Sequence, residues 1–279
     1  MRTRLFILVM FFIIFSNSIS YPCTVFNATK NGETLAGNNE DNIGFNSKIR
    51  VIPASEGKYG VIYFCHNSMF PEGGMNDQGL FFDVAACPPS QGPVTPGKPL
   101  FPWRSIDNNL NLDFLQKCAN VDEALELVQS YSYPIKMRSQ TMFVDKTGAS
   151  AIIGWVNGEF KITRKRGAYQ VMTNFSVSNP ELGNFPCWRY DKASDLLKKS
   201  EVSVKSFRNI LSAVHVEGEG RTVYSNIYDL KKGLIHVYNQ HDFENVVVIN
   251  MEDELKKGEH VIDFKSIFPG TSVGSINAK

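Results

Sequence analysis

The 279-residue sequence carries almost no net charge: 29 Lys and Arg stand against 28 Asp and Glu, giving +1. A chain so balanced lacks the basic face on which nucleic-acid binders rely, so nucleic acid is not an expected partner. After residue 20 there is no apolar run long enough to cross a bilayer, which takes about 20 residues as helix. Internal repeats, low-complexity tracts and linker-like stretches are also missing, and residues 23–279 read as one domain. Aromatics at 12% and charged residues at 20% leave no room for a disordered chain. Histidine is scarce. His66, His215, His236, His241 and His260 show no paired spacing with cysteine or carboxylate, so neither a metal site nor a cofactor is expected.

What is present starts with a leader. Met1-Arg2-Thr3-Arg4 is positive, Leu5–Phe15 is unbroken apolar sequence, and Ser16–Ser20 is small and polar. This is the layout of a secretory signal peptide over residues 1–20, with Ser18 and Ser20 at the −3 and −1 positions of the cut. Its apolar run is too short to span about 30 Å of hydrocarbon. The mature chain is therefore expected in a secreted or periplasmic compartment.

In such a compartment an odd number of cysteines implies a thiol outside any intramolecular disulfide. The five are Cys23, Cys65, Cys87, Cys118 and Cys187. Cys23 is separated from the predicted cut only by Tyr21 and Pro22. Three readings are open for it: a structural cysteine near the start, a lipidated cysteine, or the mature amino terminus. Ser20-Tyr21-Pro22 lacks the small residues that precede a lipidated cysteine. The third reading has direct chemistry. A thiol titrates near 8.5 and an α-amine at about 7.7–8.0. One residue then holds a nucleophile and a base for its proton, and the same amine returns that proton to a leaving amine. The remaining needs are a carboxylate to orient the amine and donors for an oxyanion.

Cys23–Ala28 reads as a strand, Asn31-Gly32 as a turn and Thr34–Gly37 as the returning strand, bringing Asp41 back toward Cys23. Strand-like runs follow at residues 48–53, 59–65, 80–86, 140–144, 151–155, 159–163, 169–172, 222–230, 234–238 and 245–250. Helical periodicity falls at residues 111–118, 121–131, 188–199 and 204–214. Strands grouped with strands and helices with helices indicate an α+β layered architecture.

The opening Cys23-Thr24-x-Phe26, followed by Gly37-Asn38-Asn39-Glu40-Asp41, resembles the linear-amide C–N hydrolases of the N-terminal-nucleophile superfamily. That group includes choloylglycine hydrolases, penicillin V acylases and acid ceramidase. Four further blocks are similar in order: Gly74–Leu80, Val171–Asn174, Pro186–Tyr190 and Thr222–Leu230. The resemblance implies an αββα four-layer sandwich and a small-molecule N-acyl amide substrate cleaved through an acyl-thioester. Alternatives are an N-acyltransferase of the same fold and a catalytically silent secreted binding protein. By resemblance, Cys23 is nucleophile and, through its amine, base, and Asp41 orients that amine. Asn174 and the backbone N–H of Ala86 donate to the oxyanion. Arg189 sits near the thiolate, lowering its pKa and holding the amine network.

Departures accompany the likeness. Bile-salt hydrolases carry arginine where this chain has Asn38, a substrate-side position, and Arg50 or Arg221 is a candidate replacement. Phe82, with Phe81, Trp103 and Phe175, is a candidate lining for an acyl pocket. Fifteen positions separate Asn174 from Arg189, where bile-salt hydrolases insert the hairpin that builds their tetramer, so that assembly is not implied. Gly270-Thr271-Ser272-Val273-Gly274 spells a G-x-S-x-G motif, but only five residues follow and none is histidine. Asn27-Ala28-Thr29 and Asn174-Phe175-Ser176 spell glycosylation acceptors, relevant only in a eukaryotic secretory route.

Overall fold

A computed structural model of the chain describes residues 23–44, 46–183 and 185–269. The leader over residues 1–20, Tyr21 and Pro22, and the Gly270–Gly274 motif lie outside them. Two antiparallel sheets face one another, and each carries helices on its outer side.

The first sheet grows from the hairpin of β1 (Thr24–Lys30) and β2 (Glu33–Asp41). Asn31 and Gly32 close it at φ 53° and 83°, the two left-handed positions that a two-residue turn matched to strand twist requires. Four strands complete it: β12 (Tyr169–Met172), β13 (Thr222–Asp229), β14 (Leu234–Asn239) and β15 (Asp242–Asn250). The order is β12-β1-β2-β13-β14-β15. β2 runs further than its sequence indicates. The polar Gly37–Asp41 stretch is buried strand between β1 and β13 rather than a solvated hairpin end. Bonds to the covering helix layer and to the adjacent strand make that burial tolerable: Asn39 Nδ2 donates to the Leu211 carbonyl at 3.0 Å, and Ser225 donates to Asn39 Oδ1 at 2.6 Å. At Gly37 a Cβ would stand 3.1 Å from Phe26 and 3.2 Å from Phe207, so a bare backbone lets the helix layer close down.

The second sheet contains β3 (Lys48–Ile52), β4 (Val61–Cys65), β5 (Gly73–Asn76), β6 (Phe81–Gln91), β9 (Lys136–Val144), β10 (Ser150–Val156), β11 (Glu159–Arg164) and β16 (His260–Asp263). Its order is β11-β10-β9-β6-β5-β4-β3-β16. A small ribbon of β7 (Trp103–Ser105) and β8 (Asn108–Asn109) stands apart. β5 takes in the start of the Gly74–Leu80 block, which the sequence does not mark as a strand. A turn over Asp77–Gly79 follows it, held by Asn76, whose Oδ1 accepts from the Gln78 and Leu80 N–H groups.

Strand alternation gives each sheet two apolar faces. On β1, Val25 points between the sheets while Phe26 and Ala28 point outward. α3 (Trp188–Lys199) and α4 (Val204–Val214) cover that outer face. α4 presents Phe207, Ile210, Leu211 and Val214, spaced for one helical stripe, against Phe26 and Leu35. α1 (Leu110–Lys117) and α2 (Val121–Gln129) cover the other sheet through Phe114, Leu115, Leu125 and Val128. The Asn120–Glu123 pair caps α2 reciprocally, with Glu123 N–H donating to Asn120 Oδ1 at 3.0 Å and the Ala119 N–H to Glu123 at 2.7 Å. Val25, Ile62, Phe64, Phe81, Met142 and Tyr228 fill the space between the sheets. The expected α+β, αββα architecture is what forms. Short α5 (Met251–Leu255) and α6 (Phe264–Ile267), with β16, have no counterpart in the sequence reading. Among the described residues no helix is long and apolar enough to cross a membrane. Cys65, Cys87, Cys118 and Cys187 form no disulfide. Asn27, whose side chain donates to Ser150 between the sheets, is buried and cannot carry a glycan.

Candidate active site

Hairpin register pairs Thr24 with Asn39, so Cys23 at the head of β1 falls opposite Glu40. β13 then sets Tyr224 on the far side of Glu40. Cys23 and Tyr224 belong to the core between the sheets, and Glu40 stands in that row with Oε2 3.8 Å from the Cys23 Sγ. Thr24 and Asp41 fall on the opposite, helix-bearing face.

On the helix-bearing face the main chain of Cys23 is held tightly. Its N–H donates to Asn174 Oδ1 at 2.8 Å. Arg189, buried in the first turn of α3, donates Nη1 to the Cys23 carbonyl at 2.5 Å and to Thr24 Oγ1 at 2.8 Å. Its Nη2 donates to Asn174 Oδ1 at 3.0 Å. Two donors converging on Oδ1 fix the Asn174 amide, and its Nδ2 donates to the Ala86 carbonyl at 2.9 Å. Ala86 lies where the β6–β9 register shifts, a bulge at the edge of the site. Asp41 Oδ1 accepts from the Thr222 hydroxyl, and its buried Oδ2 meets no hydrogen-bond donor. Burial raises the Asp41 pKa well above the usual carboxylate range, against the pull of Thr222 and Arg189.

On the thiol side the charges are acidic. Burial, then Glu40, Asp41 and Asp83, push the Cys23 thiol well above its ordinary value, opposed by a bond from the Asp41 backbone N–H. Asp83 is wholly buried and is raised by burial, Glu40 and Glu72. Glu72 is pushed up to about 7 by burial and then Glu40. His66 Nε2 stands 3.6 Å from Glu40 Oε1; burial pulls the imidazole down, but Glu40 outweighs it and the pKa is raised. The Tyr224 hydroxyl, surrounded by these acids, has no hydrogen-bond partner.

The fold thus gathers Cys23, Asp41, Asn174, Arg189 and Ala86 from five separate segments, although it redistributes the parts expected of them. Arg189 holds the Cys23 carbonyl and the Asn174 amide rather than the thiol, whose strongest charged neighbours are carboxylates. Asn174, not Asp41, takes the Cys23 N–H. Phe82 does not line the site. Alternation along β6 turns Phe81 and Asp83 inward and Phe82 outward, against Phe114 of α1 with ring centroids 6.0 Å apart. Arg50 is engaged by Glu259 at 2.8 Å and Asp107 at 3.5 Å, so it does not replace the missing arginine. Arg221 lies beside Asn42, whose N–H its carbonyl accepts, and its charge bears on His241. Asn38 is buried one inward step deeper than Glu40, paired with Val25. Phe175 packs on Phe185 and Tyr190, and Trp103 is half exposed.

Sequence reasoning missed the acids. Two signals were present: Glu40 has the parity of Cys23 across the hairpin, and Asp83 is a lone charge inside the apolar run Leu80–Ala86.

The same αββα fold is found in solved structures of other proteins. Penicillin V acylase from Agrobacterium tumefaciens superposes with a TM-score of 0.67 at 21% identity, over 86% of this chain and 90% of that one. A variant of conjugated bile acid hydrolase from Clostridium perfringens gives 0.67 at 17% identity, over 91% and 100%. A mutant of the same hydrolase gives 0.67 at 18%, over 87% and 96%. No family model and no curated protein matches the sequence. At these identities the likeness establishes the fold.

Proposed function

We propose that the protein is an exported amidohydrolase whose nucleophile is Cys23, freed as the amino terminus by removal of residues 1–22. The network that carries this reading joins the Cys23 nitrogen and carbonyl to Asn174 and Arg189 at the end of the β1–β2 hairpin. A thiol pushed well above its ordinary pKa is protonated at neutral pH and needs a base within reach. The Cys23 amine, once free, is that base, titrating at about 7.7–8.0 in an unperturbed chain. Liberation adds N–H donors at the position now bonded to Asn174, and Asp41 Oδ2 is the buried acceptor still without a donor. In the reaction Sγ attacks the amide carbon as its proton passes to the Cys23 amine. Asn174 Nδ2 and the Ala86 N–H serve the oxyanion, the C–N bond breaks, and the amine returns its proton to the leaving nitrogen. Water then cleaves the thioester and releases the acid. The substrate class is a linear N-acyl amide outside peptide bonds.

N-terminal sequencing of the exported chain, followed by a panel of N-acyl amides, tests this. A start at Cys23 with release of free acid is the expected result. A product formed only with an added amine acceptor makes the protein an acyltransferase. A chain that never exposes Cys23, or an exposed Cys23 without turnover, overturns the enzymatic reading.

A further inference from the structure

Away from Cys23 the fold brings His241, in the β14–β15 turn, against His215 and Glu217, which follow α4. One ligand atom from each lies within 4.8 Å of the other two, and the two imidazole rings stand 4.6 Å apart. Both rings are anchored on the main chain. His215 Nδ1 is 2.6 Å from the Ser212 carbonyl and His241 Nε2 is 3.1 Å from the Val216 carbonyl. A carbonyl only accepts, so these two nitrogens carry protons. Histidines that bind metals are oriented in this way, one ring N–H given to a backbone carbonyl and the other nitrogen turned to the ion. At His215 the consequence is direct. Nε2 faces Glu217 Oε1 at 3.2 Å; with Nδ1 donating, these are two acceptors in contact, and a positive species belongs between them. It is either a proton or a metal ion.

We propose that His215, Glu217 and His241 form a site for a divalent transition-metal ion, zinc foremost, with its remaining coordination open to solvent. Two imidazoles and a carboxylate are a donor set zinc accepts, and Glu217, 75% exposed, leaves one side uncovered. The site also has a route to the candidate active centre. The Val216 carbonyl that anchors His241 accepts from the Thr222 N–H at 2.9 Å, and the Val216 N–H donates to Thr222 Oγ1 at 2.9 Å. The Thr222 hydroxyl in turn donates to Asp41. An ion here stiffens the segment that holds Asp41 without touching a reacting atom.

The test is calorimetric titration of the full chain carrying Cys23→Ser with zinc chloride, the substitution removing the most obvious competing thiol. Cobalt(II) absorption on the same protein reports ligand type. One ion per chain is expected, without a thiolate-to-cobalt band. Glu217→Gln and His241→Ala should each weaken binding by about tenfold or more, while His236→Ala, outside the group, leaves it unchanged. Glu217 is exposed enough that its substitution leaves the fold intact, and melting without metal verifies this. Absent binding, affinity unaltered by Glu217→Gln and His241→Ala, or a thiolate band overturns the site.

Discussion

On the helix-bearing face of β1, the main chain of Cys23 is met by Asn174 and Arg189, whose donors and acceptors satisfy one another; on the face between the sheets its thiol is met by acids that do not. Arg189 and Asn174 bond to the main chain of Cys23 at 2.5 and 2.8 Å, the Arg189 bond being charge-assisted and of the stronger kind. The thiol faces Glu40, with Asp83 behind it, and is driven toward its protonated form. The backbone side is therefore positioning and needs no further partner to be rigid. The thiol side is a resting state, and the proposed chemistry depends on a base that the chain acquires only when residues 1–22 are removed.

The largest effect separating the two sides is loss of the thiol itself. Cys23→Ala should abolish amide hydrolysis, by on the order of 10⁴-fold or more, with an unchanged melting temperature, because the network on the other face is main chain and survives. Residual turnover near the original rate would end the nucleophile assignment.

Arg189→Ala attacks the other side and should show first in stability. It leaves the Cys23 carbonyl, Thr24 Oγ1 and Asn174 Oδ1 each short of a donor and Asp41 without its nearest cation. Leaving a buried acceptor without its donor costs about 1–3 kcal/mol, a fall of roughly 2–4 °C in melting temperature per kcal/mol at this chain length. Arg189→Lys keeps the charge but not the planar fork and should fall between. A melt unchanged in both variants would mean the network is not a structural unit.

Glu40→Gln acts first on the thiol side, with Asp41 feeling the same lost charge. Burial is the first cause of the raised Cys23 pKa and Glu40 the second. Removing that charge lowers the thiol pKa toward its ordinary value, and the alkaline-rising limb of kcat/KM moves to lower pH with a severalfold gain below neutrality. A limb that stays in place would assign it to another group.

How far these two sides were legible follows from the ranges of their interactions. The Asn31-Gly32 turn and the Phe207–Val214 stripe are local, and the hairpin, α3 and α4 fall where turn chemistry and the 3.6-residue period put them. β5 was opaque because Gly73 and Gly74 form a strand only through close approach to its neighbours; a Cβ on Gly74 would lie 2.6 Å from the Ile62 carbonyl. The same contrast holds at the site. Asp41 follows from hairpin arithmetic, but Asn174 and Arg189 reach Cys23 from 151 and 166 residues away, and only the resemblance pointed to them. The acids on the thiol side come from β2, β6 and the residue before β5, elements whose adjacency is a property of sheet order and not of any single segment's pattern. The His215–Glu217–His241 group was hidden for the same reason, being closed by the pairing of β14 with β15.

The smallest expected effect concerns Glu72, at the outer edge of the acid group. Its pKa is about 7 in the folded chain against an ordinary 4.5, from burial first and Glu40 second, with His66 opposing. A carboxyl whose pKa rises on folding binds more protons in the folded than in the unfolded state between those two values. Stability then falls as pH rises through the window and is fully present only below it. Glu72→Gln, neutral throughout, loses no stability there on its own account. Wild type and variant should run parallel below about pH 4, diverge in the variant's favour up to about pH 7, and stay apart beyond it. Because Asp83, also raised, remains, the wild type's decline is reduced in the variant, not removed. Melting temperatures at about pH 4, 6 and 8 read this directly. A difference that does not change with pH would place Glu72 outside the acid group, leaving Glu40 and Asp83 alone to hold the thiol in its resting form.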